Sequence, residues 1–184
     1  MTTVWLPPER FEADDVLLRP AIPADAMALY GIARDPEVMR YMDWAMPRMP
    51  GATLAHLEGA SARWNAGTEF QWIIEGRASG ECVGTISFRP KDDGVDFGYF
   101  LARDHWGKGY AFQAATTLLA WFDAQPEVRR VSATVDAENE RSRRLLERLG
   151  LRLDRVESSA TVRPNVGGLP RDTAVYSRPS LPGD

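Results

Sequence analysis

A Gly-x-Gly turn between a strand pattern and a helix pattern constrains the fold of this 184-residue chain more than any other feature. Residues 95–101 read as a strand, and after Trp106-Gly-Lys-Gly-Tyr-Ala111 the apolar residues recur at helical spacing as far as Phe122. Gly107 and Gly109 therefore stand where a strand turns into a helix. The N–H groups in the first turn of a helix have no intrahelical partner, and the helix dipole adds roughly half a positive charge there. The turn predicts a site for a phosphate or a pyrophosphate.

The two best-known phosphate loops do not fit this turn. It lacks the Gly-Lys-Ser/Thr ending of a P-loop, and position 112 is Phe where a dinucleotide-binding Gly-x-Gly-x-x-Gly fingerprint has its last glycine. The other interpretation is a tight turn that needs glycine only for its positive φ angles.

A second strand pattern, residues 131–135, leads into a second helix pattern. Asn139 is placed to cap this helix and Gly150 to end it, which puts Ser142 on the same face as Leu145, Leu146 and Leu149. Asn139 and Ser142 could also serve the helix backbone alone. The charged residues of the helix, among them Arg141, Arg144 and Arg148, are interpreted as a solvated face with i,i+4 pairs.

These segments together resemble the GCN5-related N-acetyltransferases (GNAT), and within them the RimJ/RimL-like branch. The residues that carry the resemblance most strongly are Gly98-Tyr-Phe-Leu, Trp106-Gly-Lys-Gly-Tyr-Ala111 and Asn139-x-x-Ser142-x-x-x-Leu-x-x-x-Gly150. Further matches are Leu17-Leu-Arg-Pro20, Asp35-Pro-Glu-Val-Met-Arg-Tyr41 and Arg171-Asp-Thr-Ala-Val-Tyr176. The chain departs from the family at Asp104, where a Gln or Arg usually stands three residues before the first glycine.

The resemblance implies an enzyme that uses acetyl-CoA as cosubstrate to acetylate a primary amine. Main-chain groups of Phe100, Leu101 and Ala102 would bind the pantetheine arm, with Asn139 nearby. The diphosphate would rest on the N–H groups of six consecutive residues: Trp106, Gly107, Lys108, Gly109, Tyr110 and Ala111. Ser142 would supply a proton or a hydrogen bond to the departing sulfur.

The resemblance also gives Asp96 the place of the strand carboxylate that deprotonates the amine. A Glu is more usual there, and the shorter Asp could instead pair with a neighbouring strand. Asp154 and Glu157 on a later strand are competing candidates. The base required depends on the amine, because an α-amine with a pKa of about 7.8 is roughly 15% neutral at pH 7, whereas a lysine is only about 0.04% neutral. A weakly defined base therefore favours an α-amine, on a protein N-terminus of the ribosomal type or on a small molecule.

The acceptor surface is expected on the early helices and on two later segments. Its candidate residues are Tyr41, Met42, Asp43, Trp44, Met46, Met49, Trp64 and the hairpin-like segment 163–171. Aromatic and Met side chains in a proline-bounded loop suit a substrate cleft, although core packing explains each of them as well.

The expected fold is α/β (α+β): one domain over residues 1–184 with a single mixed, mostly antiparallel sheet and flanking helices. Helices are predicted at 23–33, 35–41, 52–65, from the glycine turn to 124, and from 139. Strands are predicted at 15–19, 69–76, 81–89, 94–102, 129–135, 151–162 and 171–178. A crossover helix makes strands 94–102 and 129–135 parallel neighbours. The resemblance implies that these two strands part and so form the cofactor slot. Residues 179–184 are expected to be a mobile tail.

Composition excludes several other classes of function. The net charge of −4 gives no attraction to nucleic acid or to an anionic membrane, and no apolar run is long enough to span one. Without a secretory signal, a cytoplasmic location is expected. Cys82 is interpreted as a small buried residue, His105 as an exposed loop residue, and neither histidine has a metal-binding spacing. Exposed sheet edges make a homodimer plausible.

Two other functions stay open on sequence grounds. A non-catalytic acyl-CoA-binding sensor or interaction module would keep the glycine turn without needing Ser142 or Asp96. A nucleotide-binding regulatory domain would use the same turn for another phosphate.

Overall fold

A single eight-stranded sheet forms the centre of the computed structural model, which describes residues 6–180. The spatial order of the strands is β1-β2-β3-β4-β5-β6-β8-β7. Their bounds are β1 Phe11–Glu12, β2 Val16–Pro20, β3 Phe70–Gly76, β4 Cys82–Lys91, β5 Gly94–Leu101, β6 Arg130–Asp136, β7 Arg152–Val162 and β8 Pro170–Pro179. This confirms the predicted mixed sheet with flanking helices.

Six α-helices accompany the sheet in the described residues. They are α1 Ala26–Ala33, α2 Pro36–Met39, α3 Pro50–Glu58, α4 Ala60–Asn65, α5 Tyr110–Asp123 and α6 Glu140–Arg148. Short 3-10 turns, Pro23–Asp25 and Arg103–His105, precede α1 and α5. None of the helices in residues 6–180 is both long and apolar enough to cross a membrane.

The pairing of β5 with β6 is short and parallel. It covers three residue pairs, from Gly94 opposite Arg130 to Asp96 opposite Ser132, while β4 pairs with β5 as far as Leu101. A Cβ on Gly94 would collide with the Arg130 carbonyl, so glycine permits the close approach where pairing begins. Beyond Asp96 the two strands separate, which confirms the predicted opening.

Helices cover both faces of the sheet because strand side chains alternate in direction. On one face, Phe70, Trp72 and Phe88 pack with Phe122 of α5, and the rings of Phe88 and Phe122 stack at 4.5 Å. On the other, Ile73 packs with residues of α1, α2 and α3. Trp64 lies in the first core cluster, with its ring 4.8 Å from that of Trp72, so core packing, the alternative given for it, applies rather than a place on the acceptor surface.

Some element boundaries differ from the sequence predictions. The predicted helix 52–65 is two helices that meet at Gly59, the predicted helix 35–41 is only the short α2, and the two-residue β1 was not predicted. Packing against α1 and the sheet, rather than helical periodicity alone, determines these bounds.

The mobile tail was predicted to begin at residue 179, but residues 179 and 180 are held by the fold. Pro179 ends β8, and the Ser180 N–H donates to the Arg129 carbonyl at 2.8 Å. The Ser180 hydroxyl also bonds Asp123, which in turn accepts both guanidinium amino groups of Arg178. Residues 181–184 lie outside the described part of the chain.

Candidate active site

The edge of β5 beyond Asp96 faces the opening between the parted strands. The Val95 carbonyl accepts from Ser132 Oγ on the β6 side at 3.4 Å, and the Leu101 carbonyl accepts from Trp106 Nε1 at 3.0 Å. Because backbone groups alternate along a strand, those of Phe97 and Tyr99 and the Leu101 N–H also point into the opening. These are main-chain groups that can bond an extended ligand.

This alternation changes two of the predicted pantetheine contacts. The Ala102 N–H donates to the Val83 carbonyl at 2.9 Å, and the Ala102 carbonyl accepts from His105 N–H at 3.0 Å, so both groups are already used. A Cβ on Gly84 would collide with the Phe100 carbonyl, which places that carbonyl on the β4 side. Of the three predicted residues, Leu101 alone keeps a main-chain donor directed into the opening.

The glycine turn provides a row of unbonded N–H groups. Gly107 and Gly109 have φ angles of 77° and 83°, and α5 begins directly after Gly109 with no side-chain cap. The first backbone bond of the helix runs from Gln113 N–H to the Gly109 carbonyl at 2.9 Å. Among the described residues, the N–H groups of residues 107–112 have no protein acceptor. These donors fit a diphosphate, with open space beside Gly107 and no steric clash at Gly109, where an added Cβ would lie 3.9 Å from Gln113 Nε2.

Trp106 has a different role from the one predicted for its backbone. Its N–H donates to the Arg103 carbonyl at 3.0 Å and is therefore not part of the row of free donors. Its indole ring lies in the wall of a cleft of about 610 Å³ that also contains Gly107 and Gly109. Lys108 is exposed and does not line this cleft.

The cationic face of α6 lines the same cleft, although it was interpreted as a solvated face. The Arg141 guanidinium stacks 3.6 Å from the centre of the Trp106 ring, and that of Arg148 lies 4.4 Å from the Phe112 ring. Arg144 also lines the cleft and pairs with Glu140 at 3.4 Å, as predicted. These arginines are exposed, yet they place positive charge beside the glycine turn.

A second cleft of about 730 Å³ continues from the first towards α1 and α3. The two share six lining residues: Tyr41, Met42, Tyr99, Phe100, Asn139 and Ser142. The glycine turn belongs to the first cleft, and part of the expected acceptor surface to the second. The junction between them is the place where a cofactor and an acceptor could meet.

Two hydroxyl groups lie at this junction. Asn139 caps α6 by accepting the Ser142 N–H at 3.2 Å, and Ser142 Oγ lies 3.2 Å from the Tyr99 hydroxyl. Burial raises the pKa of Tyr99 above its usual value and outweighs the opposing effects of the Ser142 hydrogen bond and the Arg141 charge. Tyr99 therefore stays protonated near neutral pH and can donate to Ser142. Sequence analysis missed Tyr99, although the Gly98-Tyr-Phe-Leu motif contains it.

The carboxylate candidates for a general base differ in position. Asp96 lines the second cleft, but its oxygens accept from Arg89 at 3.0 and 3.5 Å, which is the strand pairing considered as its alternative role. Asp154 bonds Arg130 and Ser177, and Glu157 pairs with Arg155 at 2.7 Å. Neither Asp154 nor Glu157 lines either cleft.

Part of the expected acceptor surface is present in the second cleft. Tyr41, Met42, Asp43 and Trp44 line it, as does Arg163 from the 163–171 segment. Met46 and Met49 are exposed and do not line it. Asn165 joins the two loops: its side-chain amide donates to the Met39 and Trp44 carbonyls at 2.8 and 2.9 Å.

His105 lines the first cleft and His56 the second, whereas Cys82 lines neither. His105 is half-buried rather than exposed, because its ring stacks 5.7 Å from that of Tyr110. Cys82 is also half-buried, and burial raises the pKa of its thiol to about 11. Within residues 6–180, no group of three or more His, Cys, Asp or Glu side chains is arranged to hold a metal ion.

A buried charge cluster that the sequence did not reveal lies beside the cleft. Asp136, at the end of β6, accepts from Arg171 at 2.6 and 3.1 Å and from the Glu138 N–H at 3.0 Å. Burial alone would raise the pKa of Asp136, but these hydrogen bonds and the charges of Arg171 and Arg163 outweigh it and lower the pKa below its usual value.

A helix N-terminus with free N–H groups, an opened pair of parallel strands and a hydroxyl pair at their junction form the arrangement expected of an acetyltransferase. Residues 15–152 match the family model of the acetyltransferase (GNAT) domain, and the chain belongs to this family. It is an acetyl-CoA-dependent N-acetyltransferase, and its solved structural neighbours include RimJ- and RimL-type proteins. Family membership favours the enzyme over the sensor and the nucleotide-binding domain.

Three relatives illustrate the similarity. The uncharacterised N-acetyltransferase YoaA of Bacillus subtilis (strain 168) is 27% identical over 169 residues, which cover 90% of this chain and 94% of YoaA. The crystal structure of a putative acetyltransferase from T. thermophilus is 32% identical with a TM-score of 0.81, covering 96% of this chain and 92% of the other. Mycobacterium smegmatis RimJ, solved in complex with CoA-disulfide, is 25% identical with a TM-score of 0.78, covering 92% and 85% of the two chains.

Proposed function

We propose that this protein transfers the acetyl group of acetyl-CoA to an α-amino group, on a peptide N-terminus or on a small molecule. The observation that supports this most directly is the position of the Tyr99–Ser142 hydroxyl pair, where the cleft of the glycine turn meets the second cleft. The donor binds on one side of the pair and the acceptor on the other.

Acetyl-CoA supplies an activated thioester, so the protein has to align the amine, polarise the carbonyl and provide a proton to the sulfur. The N–H groups of residues 107–112 hold the diphosphate, and the Arg141 and Arg144 side chains add positive charge beside it. The exposed edge of β5 bonds the pantetheine arm through Phe97, Tyr99 and the Leu101 N–H. Ser142 Oγ holds a proton for the thiolate and is supported by the Tyr99 hydroxyl.

The carboxylates of the second cleft favour an acceptor that needs little help to lose its proton. Glu69 pairs with Arg63 at 2.8 Å and Asp96 with Arg89 at 3.0 Å, while Asp136 is held by Arg171. Asp43 lies on an exposed loop. A carboxylate whose lone pairs already accept hydrogen bonds from an arginine is a poor general base. An α-amine, about 15% neutral at pH 7, reacts without a strong base, whereas a lysine amine does not.

A peptide that carries both a free N-terminal amine and an internal lysine tests this choice. The products of incubation with acetyl-CoA are located by fragmentation mass spectrometry, with the same peptide blocked at its N-terminus as the control. We expect acetylation of the α-amine and little product from the blocked peptide. Preferential acetylation of the lysine would contradict the proposal. A parallel panel of small primary amines separates the two kinds of α-amine acceptor.

A further inference from the structure

Arg163 is a buried arginine that lines the second cleft, which is the acceptor cleft of the proposed function. It has 5% relative exposure, and it stands between the end of β7 and the loop that leads to β8. Arginine is rarely buried to this extent without acceptors for its five N–H donors. The partners of its guanidinium therefore indicate whether the residue is structural or functional.

Within residues 6–180, this guanidinium has no hydrogen-bond acceptor. Its Nε is buried and donates no hydrogen bond, and no acceptor among the same residues is found for its other two nitrogens. The nearest carboxylate oxygen is Asp136 Oδ2 at 3.8 Å from Nε, which is an ion-pair distance but not a hydrogen bond. A buried donor left unsatisfied costs stability, more so for a charged group.

The charge of Arg163 is also incompletely balanced. Asp136 is the buried carboxylate near it, and Arg171 already donates to both oxygens of that side chain. The other carboxylate near Arg171 is Glu138, which pairs with it at 2.7 Å and is 68% exposed. Two guanidinium groups thus share one buried carboxylate. The excess positive charge belongs to Arg163, the one that faces the cleft.

The surroundings hold Arg163 in place. Two residues further on, Asn165 accepts the Met46 N–H at 2.9 Å and donates to the Met39 and Trp44 carbonyls, so the loop after Arg163 is tied to the loop after α2. The Tyr41 ring lies beside the same cluster, 6.0 Å from the Arg171 guanidinium. A cation fixed in this way and open to the cleft is arranged to receive an anion from it.

We infer that Arg163 is an oxyanion subsite of the acceptor cleft, so that the preferred acceptor carries a carboxylate or a phosphate in addition to its amine. The inference rests on the proposed function, because the amine of the same molecule has to reach the Tyr99–Ser142 junction. A carboxylate or phosphate accepts two parallel N–H bonds from a guanidinium and would satisfy the donors that the protein leaves free. Arg163 thereby selects among acceptors and takes no part in proton transfer.

Matched acceptors test this subsite in the wild-type enzyme. The tripeptide amides Ala-Asp-Ala and Ala-Asn-Ala share the same terminal amine and differ by one charge, and Ala-phosphoserine-Ala against Ala-Ser-Ala tests phosphate. The dipeptide Ala-Ala as free acid and as amide places the carboxylate at another distance. We expect kcat/KM for at least one anionic member to exceed that of its neutral partner by about tenfold or more. Equal values in all pairs would overturn the inference.

Variants of Arg163 connect this preference to the residue. Arg163→Gln should lower kcat/KM for the anionic acceptor towards that of the neutral one, change kcat/KM for the neutral acceptor far less, and leave the affinity for acetyl-CoA, which binds in the other cleft, at its wild-type level. Arg163→Lys should retain part of the preference. Arg152→Gln, which changes an exposed arginine of β7 outside both clefts, is the matched control. A preference that persists in Arg163→Gln would contradict the assignment.

If Arg163→Gln does not fold, a second measurement on the wild-type enzyme tests the subsite. Acetate should inhibit the wild-type enzyme competitively against the amine but not against acetyl-CoA. Inorganic phosphate should also compete with the amine, in addition to any competition with acetyl-CoA at the glycine turn. Inhibition against the amine by neither anion would overturn the subsite. A failure of the proposed function gives a different result from a failure of the Arg163 subsite. If no α-amine in the panel is acetylated, the proposed function fails, whereas equal acetylation of charged and neutral acceptors refutes only the role of Arg163.

Discussion

The Tyr99 and Ser142 hydroxyls show how two residues 43 positions apart in sequence become one hydrogen-bonded pair at the proposed site. Asn139 caps α6 and fixes the first turn of the helix on which Ser142 stands, while β5 carries Tyr99 to the same point. The buried Tyr99 keeps its proton because burial raises its pKa, so the pair can pass a proton towards Ser142 Oγ. The proposed proton transfer depends on this 3.2 Å contact.

Removing the Ser142 hydroxyl should affect turnover more than binding. Ser142→Ala is expected to lower kcat by about tenfold or more, because the thiolate loses its proton donor, with little change in the dissociation constant of acetyl-CoA. Steady-state thiol release and isothermal titration give the two quantities. Ser61→Ala, on the exposed face of α4, is the control. A loss of affinity with unchanged kcat would assign Ser142 to cofactor binding instead.

Residues that act through the local backbone were the ones that sequence could predict. Asn139 was placed as a cap from its position before a helical pattern, and the structure confirms it. Arg163 could not be assigned, because its burial depends on Asp136 and Arg171, and only folding brings these two to it. Asp96 shows the same limitation: its pairing with Arg89 depends on the register of β4 with β5.

At the scale of elements, α5 and β5 together form the proposed acetyl-CoA side of the site. The helix begins after a glycine with positive φ and leaves its first N–H groups free, and the strand leaves its own edge unpaired beyond Asp96. Both features were predictable, since the glycine turn and the crossover order are local patterns. The hydrogen bonds that engage both main-chain groups of Ala102 were not predictable, because they depend on the residue at which the pairing of β4 with β5 ends.

An alanine in the glycine turn should separate backbone strain from ligand contact. Gly109→Ala forces a Cβ into a left-handed conformation, at a cost of about 1 kcal/mol, and places a methyl group beside the phosphate cradle. Gly80→Ala, with a φ of 69° in the turn between β3 and β4, imposes the same kind of strain away from both clefts. Both variants should lose similar thermal stability, but only Gly109→Ala should bind acetyl-CoA more weakly. Equal affinities would argue against the cradle.

At the scale of the whole molecule, helices on both faces of one mixed sheet leave a continuous groove where the parallel pair opens. The order of motifs along the chain predicted this architecture, because a strand, the glycine turn, a helix and a second strand follow one another in sequence. The acceptor side was less predictable. Its walls come from loops distant in sequence, such as the Met39–Met46 and Arg163–Asn165 segments that Asn165 ties together.

The Asp136 cluster should contribute to the stability of the whole fold in a pH-dependent way. Asp136→Asn leaves two arginines without their carboxylate and is expected to cost about 3 to 5 kcal/mol. Because the pKa of Asp136 is lowered in the folded protein, this contribution is present above the ordinary carboxyl pKa of about 3.9 and is lost as the pH falls through the folded-state pKa.

Thermal unfolding at several pH values measures this contribution. The difference in melting temperature between wild type and Asp136→Asn should be large at pH 7 and shrink below about pH 4. Asp92→Asn, in the exposed turn between β4 and β5, should show no comparable difference. A difference that grows in acid would mean that the sign of the linkage is wrong.

Titration of the protein with acetyl-CoA, with ATP and NAD in parallel, followed by addition of an α-amine peptide and detection of free thiol, tests the central claim most directly. We expect acetyl-CoA to bind, ATP and NAD to bind far more weakly, and thiol to appear only when the peptide is added. Binding of acetyl-CoA without release of thiol in the presence of any amine would contradict acetyltransferase activity. No binding of acetyl-CoA at all would contradict the cofactor site on the glycine turn.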